Sequence, residues 1–521
     1  MSSDSTEPRR IGEPHDIING LDENCAYGTK TQNVNTQSGV IDPVHFLGRI
    51  LEMVKTIVIG YEDPKSSKVT EYLDPEEVRK IIDFKVTDAG CDEEQLYSIV
   101  SKIVKHSVKT GHRLFFNQLF QGLDINGLSG ALLTEAMNTS MATYELSPVF
   151  TLMENYVLDE IIKLIGYDSG EGTFCPGGSL GNMYGLNLAR YRRYPEIKRH
   201  GSNGLPHLCI FTSVSSHYSI GKGASFLGIG SDHVIKIPID ENGRMIVSEL
   251  EIAIEKVIKS GKVPLAIVAT AGTTVYGAID PLDEIGDIAN RYEIWMHVDG
   301  AVANSLLFSG RYRHLIAGIQ KADSIIWNPH KLLGIPLQCS AFLTKHKGLL
   351  IETHESKASY LFQQDKFYDV SYDNVGDRVI QCGRKIDSFK FWLAWKAGGN
   401  NAFEKRIDKA IDNSRYMAQE VRRRPEFELV LEPQTITVCF WYIPRRLRGK
   451  NRDEKWWAEM HKVPPKVKEA MMKDGSMMVG YQPCDASKRR NFFRFVIHNP
   501  ALTHNDIDNS LDIIDELGRD I

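Results

Sequence analysis

The sequence predicts an α/β protein with a mostly parallel central sheet, preceded by a helical segment and followed by a smaller α+β domain. Three observations carry this reading. Between residues 121 and 395, six apolar runs of strand length alternate with helical stretches. Before them, apolar residues recur at helical spacing. After them, helices and strands follow without strict alternation. The size agrees, since 521 residues hold about three units of roughly 150 residues and can bury a core without staples.

Residues 1–38 are rich in Ser, Thr, Asn, Asp, Glu and Gly with little periodicity, so a disordered tail is expected. In the helical segment, 39–120, Phe46, Leu47, Ile50, Leu51, Val54 and Ile57 recur at helical spacing from Pro43 onward. A second helix start is Asp74-Pro75-Glu76-Glu77, with Asp as N-cap and Pro at the first helical position. Such amphipathic helices need a partner to cover their apolar faces. In the central domain, 121–395, the strand candidates are Leu208–Thr212, Val234–Ile237, Leu265–Thr270, Glu293–Val298, Ser324–Trp327 and Ser340–Thr344. The last domain, 396–521, reads as a helix (Ala402–Arg424), strands Phe427–Leu431 and Thr437–Ile443, and a charged loop. A helix around Val463–Lys473, a strand near Phe492–Ile497 and a closing helix Asp506–Leu517 complete it.

Composition excludes several classes. Lys plus Arg sum to 62 and Asp plus Glu to 67, so the net charge of −5 argues against a basic nucleic-acid footprint. The run Arg445-Arg446-Leu447-Arg448-Gly449-Lys450 reads as a solvated loop. No run of about 18 apolar residues exists, so no membrane span is expected. The start, MSSDSTEPRR, has no apolar core of a secretory signal. The cysteines are scattered without C-x-x-C, and Cys209 and Cys439 sit inside apolar runs, as reduced buried thiols do. A cytoplasmic protein is expected. No His/Cys/carboxylate cluster has metal-ligand spacing, so no metal is expected.

Four local features bear chemistry. Cys175-Pro176-Gly177-Gly178-Ser179-Leu180-Gly181-Asn182 leads into the helical run Met183–Arg192. Small residues before a helix let backbone N–H groups close on an anion, with the helix dipole in support. His217 follows the strand Leu208–Thr212. Asp299 ends the apolar strand Trp295-Met296-His297-Val298, at the edge where open α/β sheets bind ligands. Lys331 follows Trp327-Asn328-Pro329-His330. There it would be partly desolvated, which favours the neutral amine that carbonyl chemistry needs. Each feature alone also fits a plain role: a turn, a surface His, a helix-cap carboxylate, a surface Lys. Together they are the set pyridoxal phosphate requires, because its phosphate needs the cradle, its aldehyde the Lys, its ring nitrogen the carboxylate and its ring a stacking partner.

The chain resembles the pyridoxal-phosphate-dependent group II amino-acid decarboxylases, in the branch of glutamate, cysteine sulfinate and acidic amino acid decarboxylases. The resemblance runs from about residue 45 to the C-terminus. It rests on Phe115-Phe116-Asn117-Gln118-Leu119, Pro176-Gly177-Gly178-Ser179, His217-Tyr218-Ser219, Ala271-Gly272-Thr273-Thr274, His297-Val298-Asp299 and Asn328-Pro329-His330-Lys331. Ser359-Tyr360-Leu361-Phe362, running on through Tyr368-Asp369-Val370, and Asn491-Phe492-Phe493-Arg494 add to it. The resemblance implies the fold-type I transferase architecture and a homodimer with shared active sites, in which the N-terminal helices serve dimerisation. It implies that Lys331 bonds the cofactor aldehyde, Asp299 pairs with the ring nitrogen and His217 stacks on the ring. The Ser179 and Leu180 amides with Asn328 would hold the phosphate, Ala301 would pack under the ring, and Thr273 would lie near the ring substituents. Arg494 would bind the substrate α-carboxylate, and Tyr368, on a mobile loop, would protonate Cα. Phe115, Gln118 and Ser140 would shape the substrate pocket.

The third motif departs from the family. The usual His-Val-Asp-Ala-Ala-Trp-Gly-Gly is here His297-Val298-Asp299-Gly300-Ala301-Val302-Ala303-Asn304. Ala tolerates positive φ poorly, so a reshaped site floor is expected. Ser140, Phe120 and the loop Gln364–Tyr368 look closest to the cysteine sulfinate branch. The expected substrate is a short acidic amino acid, cysteine sulfinate or aspartate, giving hypotaurine or β-alanine. Glutamate is the alternative, and a weakly active or inactive homologue that keeps fold and dimer is the alternative of another class.

Overall fold

The computed structural model describes residues 41–60, 68–484 and 489–521. The tail expected at 1–38 lies outside them. In chain order the strands are β1 (Phe115–Phe116), β2 (Glu171–Cys175), β3 (Leu208–Ser213), β4 (Val234–Ile237), β5 (Val263–Thr270) and β6 (Trp295–Asp299). They continue as β7 (Ser324–Trp327), β8 (Ser340–Thr344), β9 (Phe427–Leu429), β10 (Thr437–Tyr442), β11 (Met478–Cys484) and β12 (Arg489–Val496). All six strands expected in the central domain are present.

The central sheet has seven strands in the order β2-β8-β7-β6-β5-β3-β4. Only β8 runs against the others. Helices cover both faces, which is why its strands read as continuous apolar runs rather than alternating ones. Phe211, Ile267 and Val298 pack on one side, while Ile210, Val268 and Ile326 pack on the other. A second sheet, β1-β11-β12-β10-β9, is antiparallel except for the β1–β11 pair. Its core holds Phe440, Tyr442, Phe493, Phe495, Met471, Ile507 and Leu511. The stretch around Phe115, expected in the helical segment, lends its short strand to this sheet, pairing Phe115 with Met478.

Two helices differ from expectation. The helix expected around Val463–Lys473 spans Glu454–Asp474, capped by the Asp453 side chain, which accepts from the Trp456 amide at 2.8 Å. Pro464 and Pro465 lie inside it. Proline lacks the N–H that would bond four residues back. The His461 carbonyl, which Pro465 cannot serve, accepts instead from Asn491 Nδ2 on β12 at 2.8 Å. The helix expected from Ala402 belongs to a helical run from Asp387 to Arg423, broken at Gly399 (φ 63°, ψ −174°).

The described residues form two compact units, 41–52 with Glu76–Val104, and 53–60 and 68–75 with the described residues of 105–521. In the first, Arg49 pairs with Glu93 at 3.1 Å and Glu94 at 2.6 Å and lies over the Tyr97 ring at 3.8 Å. Among the described residues, the helices Pro43–Gly60, Pro75–Ile81 and Glu93–His106 contain no buried residue. No described helix is long and apolar enough to cross a membrane.

One helix sets the site. Gly178–Arg193 lies directly on the central sheet because its inward face carries glycine at consecutive turns. A Cβ on Gly181 would overlap the Ile326 side chain, and one on Gly185 would lie 2.5 Å from His297 Nδ1. Only glycine permits this approach to β6 and β7.

Candidate active site

The site lies where β3, β5, β6 and β7 end, the edge at which open α/β sheets bind ligands. Lys331 follows β7, and its amide closes a turn on the Asn328 carbonyl at 2.9 Å. Burial lowers its pKa, and the nearby Arg494 charge lowers it further, while Asp299 opposes both. The amine is therefore biased toward its neutral, nucleophilic form. Asp299 and Arg494 are thus both within electrostatic reach of the Lys331 amine.

Asp299 ends β6 and is buried. Its Oδ1 accepts from the Ala301 amide at 3.2 Å and its Oδ2 from Asn182 Nδ2 at 2.9 Å, so each oxygen is held by one donor. His217 follows β3, and its Nδ1 lies 2.8 Å from Ser219 Oγ. Burial lowers its pKa against the pull of Asp299, with Lys331 and Lys222 lowering it further. His297 and His330, also buried, are pushed down to about 4.

The cradle is geometrically closed. Gly177 has φ 94° and ψ 158°, and the helix amides begin at Gly178. A Cβ on Gly178 would sit 2.9 Å from Asn328 Nδ2 and 3.6 Å from Ala301 Cβ. The helix N-terminus, Asn328 and Ala301 therefore surround one point, and Asn328 Oδ1 is buried there without a partner. Free amides, a helix dipole and the donor end of Asn328, its Nδ2, suit a phosphate and the ring beside it. With a strand-end Lys and a doubly held carboxylate, the residues fit pyridoxal phosphate.

Arg494, central in β12, is buried. It donates to the Thr274 carbonyl at 3.0 Å and to the Asn117 carbonyl at 2.7 Å, while its Nε is unpartnered. Thr273 is buried in the same turn, its Oγ1 accepting from the Ala278 amide at 3.0 Å.

The other expected residues lie in a second group. The Tyr368 hydroxyl donates toward both oxygens of Asp373, each at 3.1 Å. Asp373 also holds Lys366 Nζ at 2.8 Å and the Tyr144 amide at 2.8 Å, and the Tyr144 and Tyr368 rings are 5.1 Å apart. Desolvation raises the Tyr368 pKa, opposed by Lys366, with Asp373 raising it further, so the phenol stays protonated. Tyr368 bonds and stacks within its own loop and against Tyr144. Ser140 lies in the segment before Tyr144, its hydroxyl accepting from the Arg384 amide at 3.1 Å. Gln118 is exposed, and Phe115 is buried in the core of the second sheet.

The altered 300–304 segment is unstrained, correcting the expectation of a poorly tolerated positive φ. Val302 has φ −105°, and no described residue of this segment is among the non-glycine residues with positive φ. The departures are coupled. A Cβ on Gly300 would overlap the Asn304 side chain, and Asn304 donates to the Ile326 carbonyl at 3.2 Å. A larger residue at 304 and the loss of a methyl at 300 thus form one exchange. Asn182 and Ser219 received no role from the sequence, because their partners are remote in the chain.

A family model described as the pyridoxal-dependent decarboxylase conserved domain matches residues 75–443. Cysteine sulfinic acid decarboxylase of Homo sapiens is 50% identical over 457 residues, covering 88% of this chain and 92% of its own length. An acidic amino acid decarboxylase of Bos taurus is 49% identical over 457 residues, covering 88% and 87%. The crystal structure of mouse CSAD superposes with a TM-score of 0.89 at 47% identity, over 92% of this chain and 99% of that one.

The buried histidines predict a pH dependence. Unfolded His titrates near about 6.5, whereas His297 and His330 titrate near about 4 in the fold. The unfolded chain binds more protons between these values, so stability is complete above the upper one and is lost as pH falls toward the lower. Each such His contributes a slope of up to about 1.4 kcal/mol per pH unit. The unfolding midpoint should fall steadily from about pH 6.5 to about pH 4; a midpoint constant over that window would contradict the assignment.

Proposed function

Because this chain belongs to the pyridoxal-dependent decarboxylases, we propose that it removes carbon dioxide from a short acidic amino acid, cysteine sulfinate or aspartate. It is a pyridoxal-phosphate-dependent amino-acid decarboxylase. The observation that carries the reading is that the Lys331 amine stands within the field of Asp299, at the end of β6, and of Arg494, which reaches from β12 to the Thr274 carbonyl after β5. The substrate class is supported by relatives named for cysteine sulfinic acid and acidic amino acids.

When bound, pyridoxal 5′-phosphate supplies an aldehyde for the amine and a protonated ring that accepts the electron pair left by departing carbon dioxide. In the reading proposed here, the Ser179 and Leu180 amides and Asn328 hold its phosphate. Ala301 and His217 would flank the ring, and Thr273 would lie near its substituents. Asp299 would hold the proton on the ring nitrogen. Lys331 would supply the amine that holds the aldehyde. Arg494 binds the α-carboxylate, exchanging a backbone carbonyl for a charged oxygen. Tyr368, kept as a phenol, delivers a proton to Cα, while Gln118 and Ser140 border the substrate side chain; Phe115, packed in the core of the second sheet, supports them from behind. The unstrained Gly300–Asn304 pair supports an active enzyme over an inactive homologue.

A homodimer with shared sites completes the reading. Leu132, Leu133 and Met137 on the helix Ile125–Met137, and Val149, Leu152 and Tyr156 on Pro148–Ile165, are exposed large apolar residues. An apolar surface of this kind calls for a partner. Phe367, next to Tyr368, is 97% exposed, which supports a loop that reaches a partner's site. Free Cys175, Cys209 and Cys339, all buried, support a cytoplasmic location.

Two experiments test these assignments. With cofactor added, purified protein given equal cysteine sulfinate, aspartate, cysteate and glutamate should form hypotaurine or β-alanine in excess. A predominance of the glutamate product would overturn the substrate class, and no amine from any substrate would overturn the activity. Lys331→Ala and Tyr368→Phe should each lose most amine formation alone. Unfolded and refolded together in equal amounts, they should recover about a quarter of the wild-type rate, since half the dimers then carry one intact site of two. No recovery would contradict sites shared between chains.

A further inference from the structure

The reading above assigns roles to Asp299 and His217, and leaves unexplained what holds them in register. Asn182 touches both branches. Its side-chain amide orientation is dictated by chemistry, because an ionised carboxylate can only accept hydrogen bonds. Nδ2 must therefore face Asp299 Oδ2, at 2.9 Å. Its second hydrogen points to Ser219 Oγ, also at 2.9 Å. Oδ1 is left as an acceptor, and lies 2.9 Å from His297 Nε2.

Every proton in the surrounding chain then has one place. His297 must carry hydrogen on Nε2 to meet Asn182 Oδ1. In the neutral ring its Nδ1 is bare and accepts from Ser324 Oγ at 2.8 Å. Ser324 in turn accepts from Trp295 Nε1, which can only donate, at 2.9 Å. On the other side, Ser219 Oγ has accepted from Asn182, so its own hydrogen goes to His217 Nδ1 at 2.8 Å. The Ser219 amide aims at the same nitrogen, 3.3 Å away. His217 is thereby left with its hydrogen on Nε2.

The network is buried at every link except His217: Trp295, Ser324, His297, Asn182, Ser219 and Asp299 are all buried. Gly185, one turn along the helix from Asn182, is what lets the helix meet His297. A surface asparagine can rotate, whereas this one has each hydrogen-bonding group matched and the alternative orientation opposed by a carboxylate.

We infer that Asn182 is the positioning residue of the site, aiming the Asp299 carboxylate at the cofactor's ring nitrogen and, through Ser219, fixing the tautomer and angle of the His217 ring. The inference rests on the proposed roles of Asp299 and His217. It assigns Asn182 no contact with substrate or cofactor.

The test compares two ligands of the apo-protein, pyridoxal phosphate and its 1-deaza analogue, whose ring carbon cannot pair with Asp299. Binding is read from quenching of tryptophan fluorescence. Wild type should favour pyridoxal phosphate. Asn182→Ala should cut that preference about tenfold, the worth of one hydrogen bond to a charged group, with the affinity for the deaza analogue falling no further than it does in Ser219→Ala. Ser219→Ala, which severs only the His217 branch, should weaken both ligands by the same factor. A preference unchanged in Asn182→Ala, or both ligands weakened equally by it, would overturn the positioning role. If Asn182→Ala does not fold, Asn182→Asp keeps the shape and the acceptor toward His297 but turns the donor into a carboxylate, and the same loss of preference is expected. If wild type itself does not distinguish the two ligands, the Asp299 assignment fails and this inference fails with it.

Discussion

The arrangement depends on one close approach, that of the helix Gly178–Arg193 to the central sheet. Gly181 clears Ile326 on β7 and Gly185 clears His297 on β6. With any side chain at these positions the helix would have to move outward, and in a close-packed interior such a shift propagates. At its present depth the helix does two things at once. Its N-terminus opens beside Asn328 and Ala301, where free amides and the dipole can meet an anion. One turn further, Asn182 reaches Asp299 and His297. Phosphate cradle and ring carboxylate are thereby placed by the same rigid element.

Around that contact the electrostatics are sorted by burial. Desolvation holds His217, His297 and His330 toward the neutral form and biases Lys331 toward the free amine. Asp299 and Arg494 remain the charged groups beside the amine. A chain with net charge −5 thus holds a local cation where an acidic substrate's carboxylate would bind. Tyr368 rests on Asp373 in a loop with its own contacts.

The legible parts of the fold were those whose signal is local. The strands from Leu208 to Thr344, the edge strand β4 apart, are short apolar runs buried on both faces, and this composition identifies them without any partner. The strands β1, β2 and β11 were not marked out; β1 is two residues long and exists through its pairing with Met478 and Val479. The helix from Glu454 was read short because Pro464-Pro465 is a breaker by local rules, and the compensating donor, Asn491, comes from another strand. The site divides the same way. Lys331, Asp299 and His217 stand at strand ends and were visible as such, and the family motifs named Arg494 and Tyr368. Asn182 and the Gly300–Asn304 exchange were not legible as functional, since their meaning lies in contacts across the sheet and across a turn.

The central claim is that the cofactor's aldehyde is carried by Lys331 at this sheet edge. Borohydride reduction of the cofactor-loaded protein, followed by proteolysis and peptide mass spectrometry, tests it most directly. The account predicts a phosphopyridoxyl group fixed on the peptide containing Lys331, at near one per chain. Its appearance on a different lysine, or no incorporation into folded protein, would contradict the account.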